Sequence, residues 1–314
     1  MGEGGPVSQV INYIQTAQKN WLFGTLLRAL CDESPLFKGT RSWMKDADAY
    51  YVQPSWVVKD RFVRKSLVRF TSYYMDRALA RRVNQAPVLV AHCNAQIEWL
   101  AKFGVRKPDA VISAGYQPNI TVRTALPDKF TIGMFGNERK QPYLQDQQGH
   151  RLGNKPIKGS NRIPEIAKRL DPAKVQWYFA GPKWERQPVY RQLQGMGFEV
   201  GTHCYRADKV VEGYHKLDCL LIASPSEGGP GVGLDAFAAG LPVVSTRVGQ
   251  MTELSDMLWD TEDEAATHIL KIQNDRQAFF DRRTRYRLLV KDRTRKLFAQ
   301  KIVRLFHEKI LDNT

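Results

Sequence analysis

Residues 224–253 read SPSEGGPGVGLDAFAAGLPVVSTRVGQMTE, and this stretch decides the fold. It follows directly on a short apolar run, DCLLIAS (218–224), which predicts a buried strand. Glu227 then opens a loop rich in glycine, and small residues up to Gly240 predict a helix that this glycine ends. LPVVST (241–246) predicts the next strand. The order is therefore strand, glycine-rich loop, helix, strand.

The glycine-rich loop predicts a site for a diphosphate. A helix that begins directly after such a loop offers free backbone N–H groups and the positive end of its dipole. Glu227 and Asp235 lie eight positions apart, and their carboxylates are placed to accept hydrogen bonds from vicinal hydroxyls of a sugar and a ribose. The alternative is a tight loop with a capping carboxylate. The loop residues assigned to this diphosphate site are Gly228, Gly229, Pro230, Gly231 and Val232.

The chain around this loop alternates apolar runs with helix-like segments. Near-continuous apolar strands that alternate with amphipathic helices are typical of a parallel sheet covered on both faces. Ligands bind such sheets at the carboxyl ends of the strands. Strands are predicted at 130–136, 175–181, 218–224 and 241–246. Helices are predicted at 161–170, 186–196, 208–217 and 232–239.

The N-terminal part is less regular. Ala49 to Val52 and Pro87 to Ala91 predict strands, and a helix is predicted from about Val7 to Lys19. The turn-like residues near 126–128 predict a boundary. We therefore expect an N-terminal domain over 1–126, a second domain over 127–285 and a C-terminal basic helix over 286–314.

The positive charge is concentrated in two segments. The chain has 314 residues, 47 Lys and Arg against 32 Asp and Glu, and a net charge of +15. Val57 to Arg82 and Lys271 to Lys309 together carry this whole excess, and apolar residues at helical spacing predict a helix in each. The two helices either have solvated basic faces or bind a polyanion, which is nucleic acid or anionic lipid headgroups.

The composition is that of a globular protein. No stretch approaches the ~20 apolar residues of a membrane span, and no signal peptide is evident. We expect a cytoplasmic protein, with peripheral association at the inner membrane face as a further option. No metal is expected, although two metal alternatives exist. They are a zinc site from His203, Cys204, His215 and Cys219, and a DxD motif at Asp46 and Asp48.

The glycine-rich stretch resembles the retaining GT-B glycosyltransferases of the glycogen-synthase-like group, glycosyltransferase family 4. Their signature is P-S-x-x-E-G-x-x-x-x-x-L-E-A-x-A-x-G-x-P-V-V, and Asp235 stands in place of its second glutamate. Ile157-Lys158-Gly159 is similar to the start of the family's K-G helix. The residues near or on the signature are Pro225, Ser226, Glu227, Gly228, Leu234, Ala236, Ala239, Gly240, Pro242, Val243 and Val244.

The resemblance implies an α/β fold of two Rossmann-like domains with a cleft between them, the N-terminal one reduced. It implies a hexosyltransferase that moves a sugar from a UDP- or GDP-sugar with retention of configuration and needs no cofactor or metal. Catalysis is assigned to Lys158, Arg139 and Glu227, and the first two would contact the diphosphate. The remaining donor-binding residues are Gly4, Gly5, Gly136, Tyr205 and Asp235, together with the loop residues named above.

The acceptor is the open question at this stage. The basic segments favour an anionic acceptor, either a lipid-linked or cell-surface glycan or hydroxymethylated DNA of the phage type. His92, Tyr51 and Trp56 are weak candidates for the acceptor side, the aromatic residues because they stack on a base. The alternative function is a polyanion-binding protein on a degenerate glycosyltransferase scaffold.

Overall fold

The computed structural model describes residues 10–14, 22–40, 43–53, 58–71, 74–117, 119–138, 145–146, 150–151, 153–204 and 209–312. The chain divides into two compact units. Unit 1 comprises Met1–Ala114 and Arg295–Thr314, and unit 2 comprises Gly115–Thr294. Each contains a parallel sheet of six strands.

Unit 1 is a parallel sheet in the order β2-β1-β3-β4-β5-β6. Its strands are β1 (Ile11–Ile14), β2 (Phe37–Thr40), β3 (Ala49–Val52), β4 (Ser66–Arg69), β5 (Val88–Ala91) and β6 (Ala110–Val111). Its helices are α1 (Leu22–Glu33), α2 (Asp60–Val63), α3 (Arg77–Val83), α4 (Asn94–Ala101) and α13 (Arg295–Phe306), the last followed by a π-helical turn at His307–Leu311.

Helices cover the two faces of this sheet because successive side chains of a strand point to opposite sides. Tyr51 of β3 lies in the cluster formed with α1 and α13, whereas its neighbour Tyr50 lies in the cluster formed with α2, α3 and α4. The Phe306 ring of α13 packs edge-on against Phe37, with 5.5 Å between the ring centres. The C-terminal helix α13 therefore belongs to the core of unit 1.

Two helices predicted in unit 1 are wrong. Residues 11–14 of the segment predicted as a helix from Val7 to Lys19 form β1, which lies between β2 and β3. The segment from Val57 to Arg82 contains α2, strand β4 and α3 instead of one helix. Helical spacing misleads here because buried residues of two short helices and one strand fall by chance at intervals of three and four.

Unit 2 is a parallel sheet in the order β12-β11-β10-β7-β8-β9. Its strands are β7 (Phe130–Phe135), β8 (Val175–Ala180), β9 (Glu199–His203), β10 (Cys219–Ile222), β11 (Val243–Thr246) and β12 (Met257–Trp259). Its helices are α5 (Ile163–Ala167), α6 (Pro188–Gly195), α7 (Val211–Tyr214), α8 (Gly231–Ala238), α9 (Met251–Leu254), α10 (Glu262–Asn274), α11 (Arg276–Asp281) and α12 (Arg283–Leu289).

The four strands predicted in unit 2 are confirmed as β7, β8, β10 and β11. Two edge strands, β9 and β12, were not predicted. Side chains of β9 are exposed or half-buried along its whole length, so the sequence has no apolar run there. Gly240 ends α8 as predicted, with a φ of 83°. The Leu241 N–H donates to the Ala236 carbonyl, which closes the helix in a Schellman arrangement.

The division of the chain differs from the predicted boundaries at 126 and 285. It falls after Ala114 and after Thr294 instead. Residues 115–126 belong to unit 2 because the Arg123 N–H donates to the Ala239 carbonyl and its guanidinium donates to the Leu217 carbonyl. Unit 1 is thus shorter than unit 2, but it is not reduced in its number of strands.

No helix among the residues that the structure describes is both long and apolar enough to cross a membrane.

Candidate functional site

The site in unit 2 is centred on an ion pair at the carboxyl ends of two neighbouring strands. Gly136 directly follows β7, and Glu227 lies five residues after the end of β10. The Lys158 ammonium donates to the Glu227 carboxylate, and the two side chains are 19% and 22% exposed. The structure therefore brings together three residues that the sequence assigned to the site.

Gly136 leaves the room that the Lys158 side chain occupies. A Cβ atom at Gly136 would lie 2.7 Å from the Lys158 Cε, and the φ of 130° at Gly136 also disfavours any other residue. An ammonium has three N–H donors, and the Glu227 carboxylate uses one of them. Lys158 is therefore held in place and can still donate to a ligand.

Hydrogen bonds and a close backbone contact fix the loop that carries Glu227. The Ser224 hydroxyl donates to the Glu227 carboxylate over 3.2 Å, and the Thr246 hydroxyl donates to the Ser224 carbonyl over 2.7 Å. Gly249 approaches so closely that a Cβ atom there would lie 2.5 Å from the Glu227 carbonyl oxygen and 2.6 Å from that of Gly228. These contacts orient the carboxylate before any ligand binds.

Glu138 anchors the segment that carries Lys158. Its carboxylate accepts hydrogen bonds from the backbone N–H groups of Lys158 and Ser160, both over 3.1 Å, and the side chain is buried. Between them Gly159 has a φ of 72°, and a Cβ atom there would lie 1.9 Å from the Ala223 carbonyl oxygen. This backbone contact joins the Lys158 segment to the end of β10.

The N-terminus of α8 is the second part of the site. No side chain caps it, and its first turn has no acidic residue. A Cβ atom added at Gly231 would meet nothing within 4 Å, and Gly229, Gly231 and Val232 are half-buried, whereas Gly228 and Pro230 are buried. The positive end of the α8 dipole thus faces open space. In the sequence it follows Glu227 by only a few residues.

Asp235 is committed to the protein interior in this structure. It is 5% exposed, and its Oδ1 accepts from the Gln117 N–H over 2.8 Å. The Tyr214 hydroxyl donates to Oδ2 over 3.5 Å. Asp235 therefore joins the segment that enters unit 2 to α8, and its contact with a ribose stays a prediction.

We expect Asp235→Ala to lower the free energy of unfolding by about 1–3 kcal/mol without any ligand, because it removes the acceptor of a backbone N–H. Asp235→Asn keeps one acceptor and is expected to lose less. Urea denaturation followed by circular dichroism measures both. Asp263→Ala is the control, since that side chain is 72% exposed and its pair with Arg169 is a surface pair. Equal stability of Asp235→Ala and the unchanged protein would refute the internal role.

Unit 1 has a polar cluster at the carboxyl ends of β3, β4 and β5. Arg69 is fully buried and donates to the Gln53 side-chain oxygen over 3.0 Å and to the Ile112 carbonyl over 3.2 Å. The Tyr51 hydroxyl donates to the same Gln53 oxygen over 2.6 Å. Among the described residues no carboxylate pairs with Arg69, and burial lowers the pKa of its guanidinium. Burial likewise raises the pKa of Tyr51 to about 12.

The same cluster determines the tautomer of His92. Arg69 Nη2 lies 2.9 Å from His92 Nδ1, and a guanidinium can only donate. Nδ1 is therefore the acceptor, and the ring proton of a neutral His92 resides on Nε2. His92 is buried, so this candidate for the acceptor side lies inside the polar cluster of unit 1.

Five predicted site residues lie outside the part of the chain that the structure describes: Gly4, Gly5, Trp56, Arg139 and Tyr205. Their assignments stay predictions. The described residues contain no group of three or more His, Cys, Asp and Glu side chains that could hold a metal ion. His203, Cys204, His215 and Cys219 form no such group, and Asp48 accepts from the Val10 N–H.

Sequence reasoning missed Glu138, Arg69 and Gly249 as parts of the two polar sites. Glu138 lies three residues after β7. Ligands bind parallel sheets at the carboxyl ends of the strands, so Glu138 could have been predicted as a site residue from this position. Arg69 had no signal, since it stands among other basic residues of a segment predicted as one helix. Gly249 lies within the stretch 224–253, but its contact with the loop depends on the tertiary fold.

Comparison with known structures defines the fold class. The sucrose-phosphate synthase of Thermosynechococcus elongatus superposes with a TM-score of 0.71 at 12% identity, over 96% of this chain and 98% of that chain. HepE of Anabaena, solved in complex with UDP and glucose, gives a TM-score of 0.70 at 15% identity, over 96% and 100%. The lipopolysaccharide outer core galactosyltransferase WaaB gives 0.59 at 12% identity, over 96% and 100%. The two six-stranded units therefore have the GT-B fold.

The second half of the chain contains a match to a known family. Residues 159–308 match the family described as glycosyl transferases group 1. Residues 159–308 thus carry a group 1 glycosyltransferase domain. The matched residues include the glycine-rich loop, and they begin directly after Lys158. No curated protein matches the sequence of this chain.

Proposed function

We propose that the protein transfers a sugar from a UDP- or GDP-sugar to a hydroxyl group of a glycan, with retention of configuration, as in glycosyltransferase family 4. The observation that carries this proposal is the Lys158 ammonium held by Glu227, close in sequence to the uncapped N-terminus of α8. An ammonium and a free helix N-terminus are both groups that bind the phosphates of a nucleoside diphosphate. The complex of HepE with UDP and glucose supports this choice of ligand.

The charges that develop in the reaction match these groups. The bond between the anomeric carbon and the diphosphate oxygen breaks, so negative charge grows on the leaving group and positive charge on the sugar. Lys158 and the α8 N–H groups would stabilise the leaving diphosphate, and Glu227 would accept hydrogen bonds from sugar hydroxyls. The acceptor oxygen attacks from the same face, and its proton passes to the leaving phosphate.

The acceptor is proposed to be a glycan that carries negative charge. One observation supports a glycan, and a second supports its negative charge. WaaB, which shares the fold, is a galactosyltransferase of the lipopolysaccharide outer core. The net charge of this chain is +15.

The test is turnover of individual UDP- and GDP-sugars with and without oligosaccharide acceptors, followed by release of the nucleoside diphosphate. We expect one donor to be consumed and the new bond, examined by NMR, to keep the donor's anomeric configuration. Glu227→Ala is expected to lower kcat/KM by about tenfold to a hundredfold, because hydrogen bonds to a charged group are lost. Glu227→Gln keeps one acceptor oxygen and should lose less.

Three outcomes would count against the proposal. If calorimetry detects no binding of UDP or GDP, the proposed donor site is refuted. A product with inverted anomeric configuration would refute the proposed retention of configuration. Equal activity of Glu227→Ala and the unchanged protein would show that the donor binds elsewhere.

A further inference from the structure

Helix α12 exposes a cluster of aliphatic side chains. Of the residues that the structure describes, only three large apolar side chains are exposed, namely Val111 at 40%, Leu288 at 58% and Leu289 at 42%. Two of the three are adjacent at the end of α12, in unit 2. The other face of the helix is anchored, because Tyr286 and the following Val290 are buried in the core of that unit.

Cations that pair with no described residue lie close to these leucines in the sequence. Arg285, Arg287 and Lys291 are exposed, and their side chains make no ion pair or hydrogen bond with any described residue. Two other exposed cations of the unit do pair with a carboxylate, Lys168 with Glu165 and Lys174 with Asp171. We call the group Arg285, Arg287, Leu288, Leu289 and Lys291 the α12 patch.

The combination of groups in the α12 patch fits a lipid surface. Transfer of exposed leucines out of water is favourable, and so is the placement of arginine and lysine beside phosphate groups. An anionic bilayer offers both environments in adjacent layers. A nucleic acid would engage the cations through its phosphates but would leave the two leucines in water, and the one aromatic residue of α12 on which an unpaired base could stack, Tyr286, is buried. Two leucines are also too little surface for a stable protein interface, whereas partition into a bilayer needs no complementary shape.

We propose that the α12 patch docks unit 2 on an anionic lipid surface. Leu288 and Leu289 enter the boundary between headgroups and acyl chains, and Arg285, Arg287 and Lys291 lie against lipid phosphates. This inference goes beyond the proposed function, since it needs neither a donor nor an acceptor in the site around Lys158.

The experiment is co-sedimentation of the full chain with vesicles of phosphatidylcholine alone and of phosphatidylcholine mixed with phosphatidylglycerol. We expect binding to the mixed vesicles, weakened by added salt, and little binding to phosphatidylcholine alone. Arg285→Glu/Arg287→Glu is expected to weaken binding by about tenfold or more, and Leu288→Gln/Leu289→Gln by about fivefold. All four side chains are exposed, so thermal melting should be unchanged in both variants.

The matched control is Lys168→Glu/Lys174→Glu, which changes the net charge equally at another exposed place of the same unit. It should bind vesicles as the unchanged protein does. Equal weakening by the control would show a general charge effect and overturn the proposal. Full binding by the leucine variant, together with tighter binding to duplex DNA than to vesicles, would replace lipid by nucleic acid. Consumption of a nucleotide sugar with a soluble acceptor should stay unchanged in every variant, which separates this test from that of the enzyme activity.

Discussion

Lys158→Met is expected to lower kcat/KM for the nucleotide sugar by about 10²–10³-fold, the loss that follows removal of one group that stabilises a developing anion. Methionine keeps an unbranched chain over Gly136, so the variant removes the charge and leaves most of the packing. The loss should fall on kcat more than on KM, because the leaving diphosphate carries more negative charge in the transition state than in the bound donor.

Lys168→Met is the matched control, ten positions further along the chain. The Lys168 side chain is 59% exposed and pairs with Glu165 at the surface, so we expect unchanged kinetics. Steady-state kinetics of both variants, with melting curves to verify folding, provide the measurement. A Lys158→Met variant with normal kcat would place the leaving-group stabilisation on other residues, and Arg139 would then be the first to examine.

The central part of the site was predictable because its signals are local. A strand end, a run of glycines and the small residues of α8 stand next to each other in the sequence. Together they predict the loop site without any knowledge of the tertiary fold. Lys158 and Glu227 were assigned separately by resemblance. That they form one ion pair could not be predicted, since 69 positions separate them and only the neighbouring ends of β7 and β10 bring them together.

The fold of unit 1 was less predictable because its strands are short and their neighbours carry charge. β4 has four residues, begins with Ser66 and ends with Arg69, both fully buried. A buried arginine at a strand end contradicts the rule that charged residues are exposed. The exception arises from the polar cluster itself, because Gln53, His92 and the Ile112 carbonyl satisfy the guanidinium.

Gly159→Ala is expected to destabilise the protein by about 3 kcal/mol or more, since it combines backbone strain with a steric clash. The φ of 72° is unfavourable for alanine, and the new Cβ would stand 1.9 Å from the Ala223 carbonyl oxygen. That oxygen belongs to the backbone at the end of β10 and cannot rotate away. The segment must shift instead, which also moves Lys158 relative to Glu227, so activity should fall with stability.

Two other glycines separate the causes. Gly104 has a φ of 78° but nothing within 4 Å of an added Cβ, so Gly104→Ala should show the backbone cost alone, about 1 kcal/mol. Gly195 ends helix α6 in open space, and Gly195→Ala should be neutral or stabilising by about 0.5–1 kcal/mol. Urea denaturation of the three variants ranks them. A Gly159→Ala variant no less stable than Gly104→Ala would mean that the Lys158 segment does not pack against β10, and the ion pair with Glu227 would lose its structural basis.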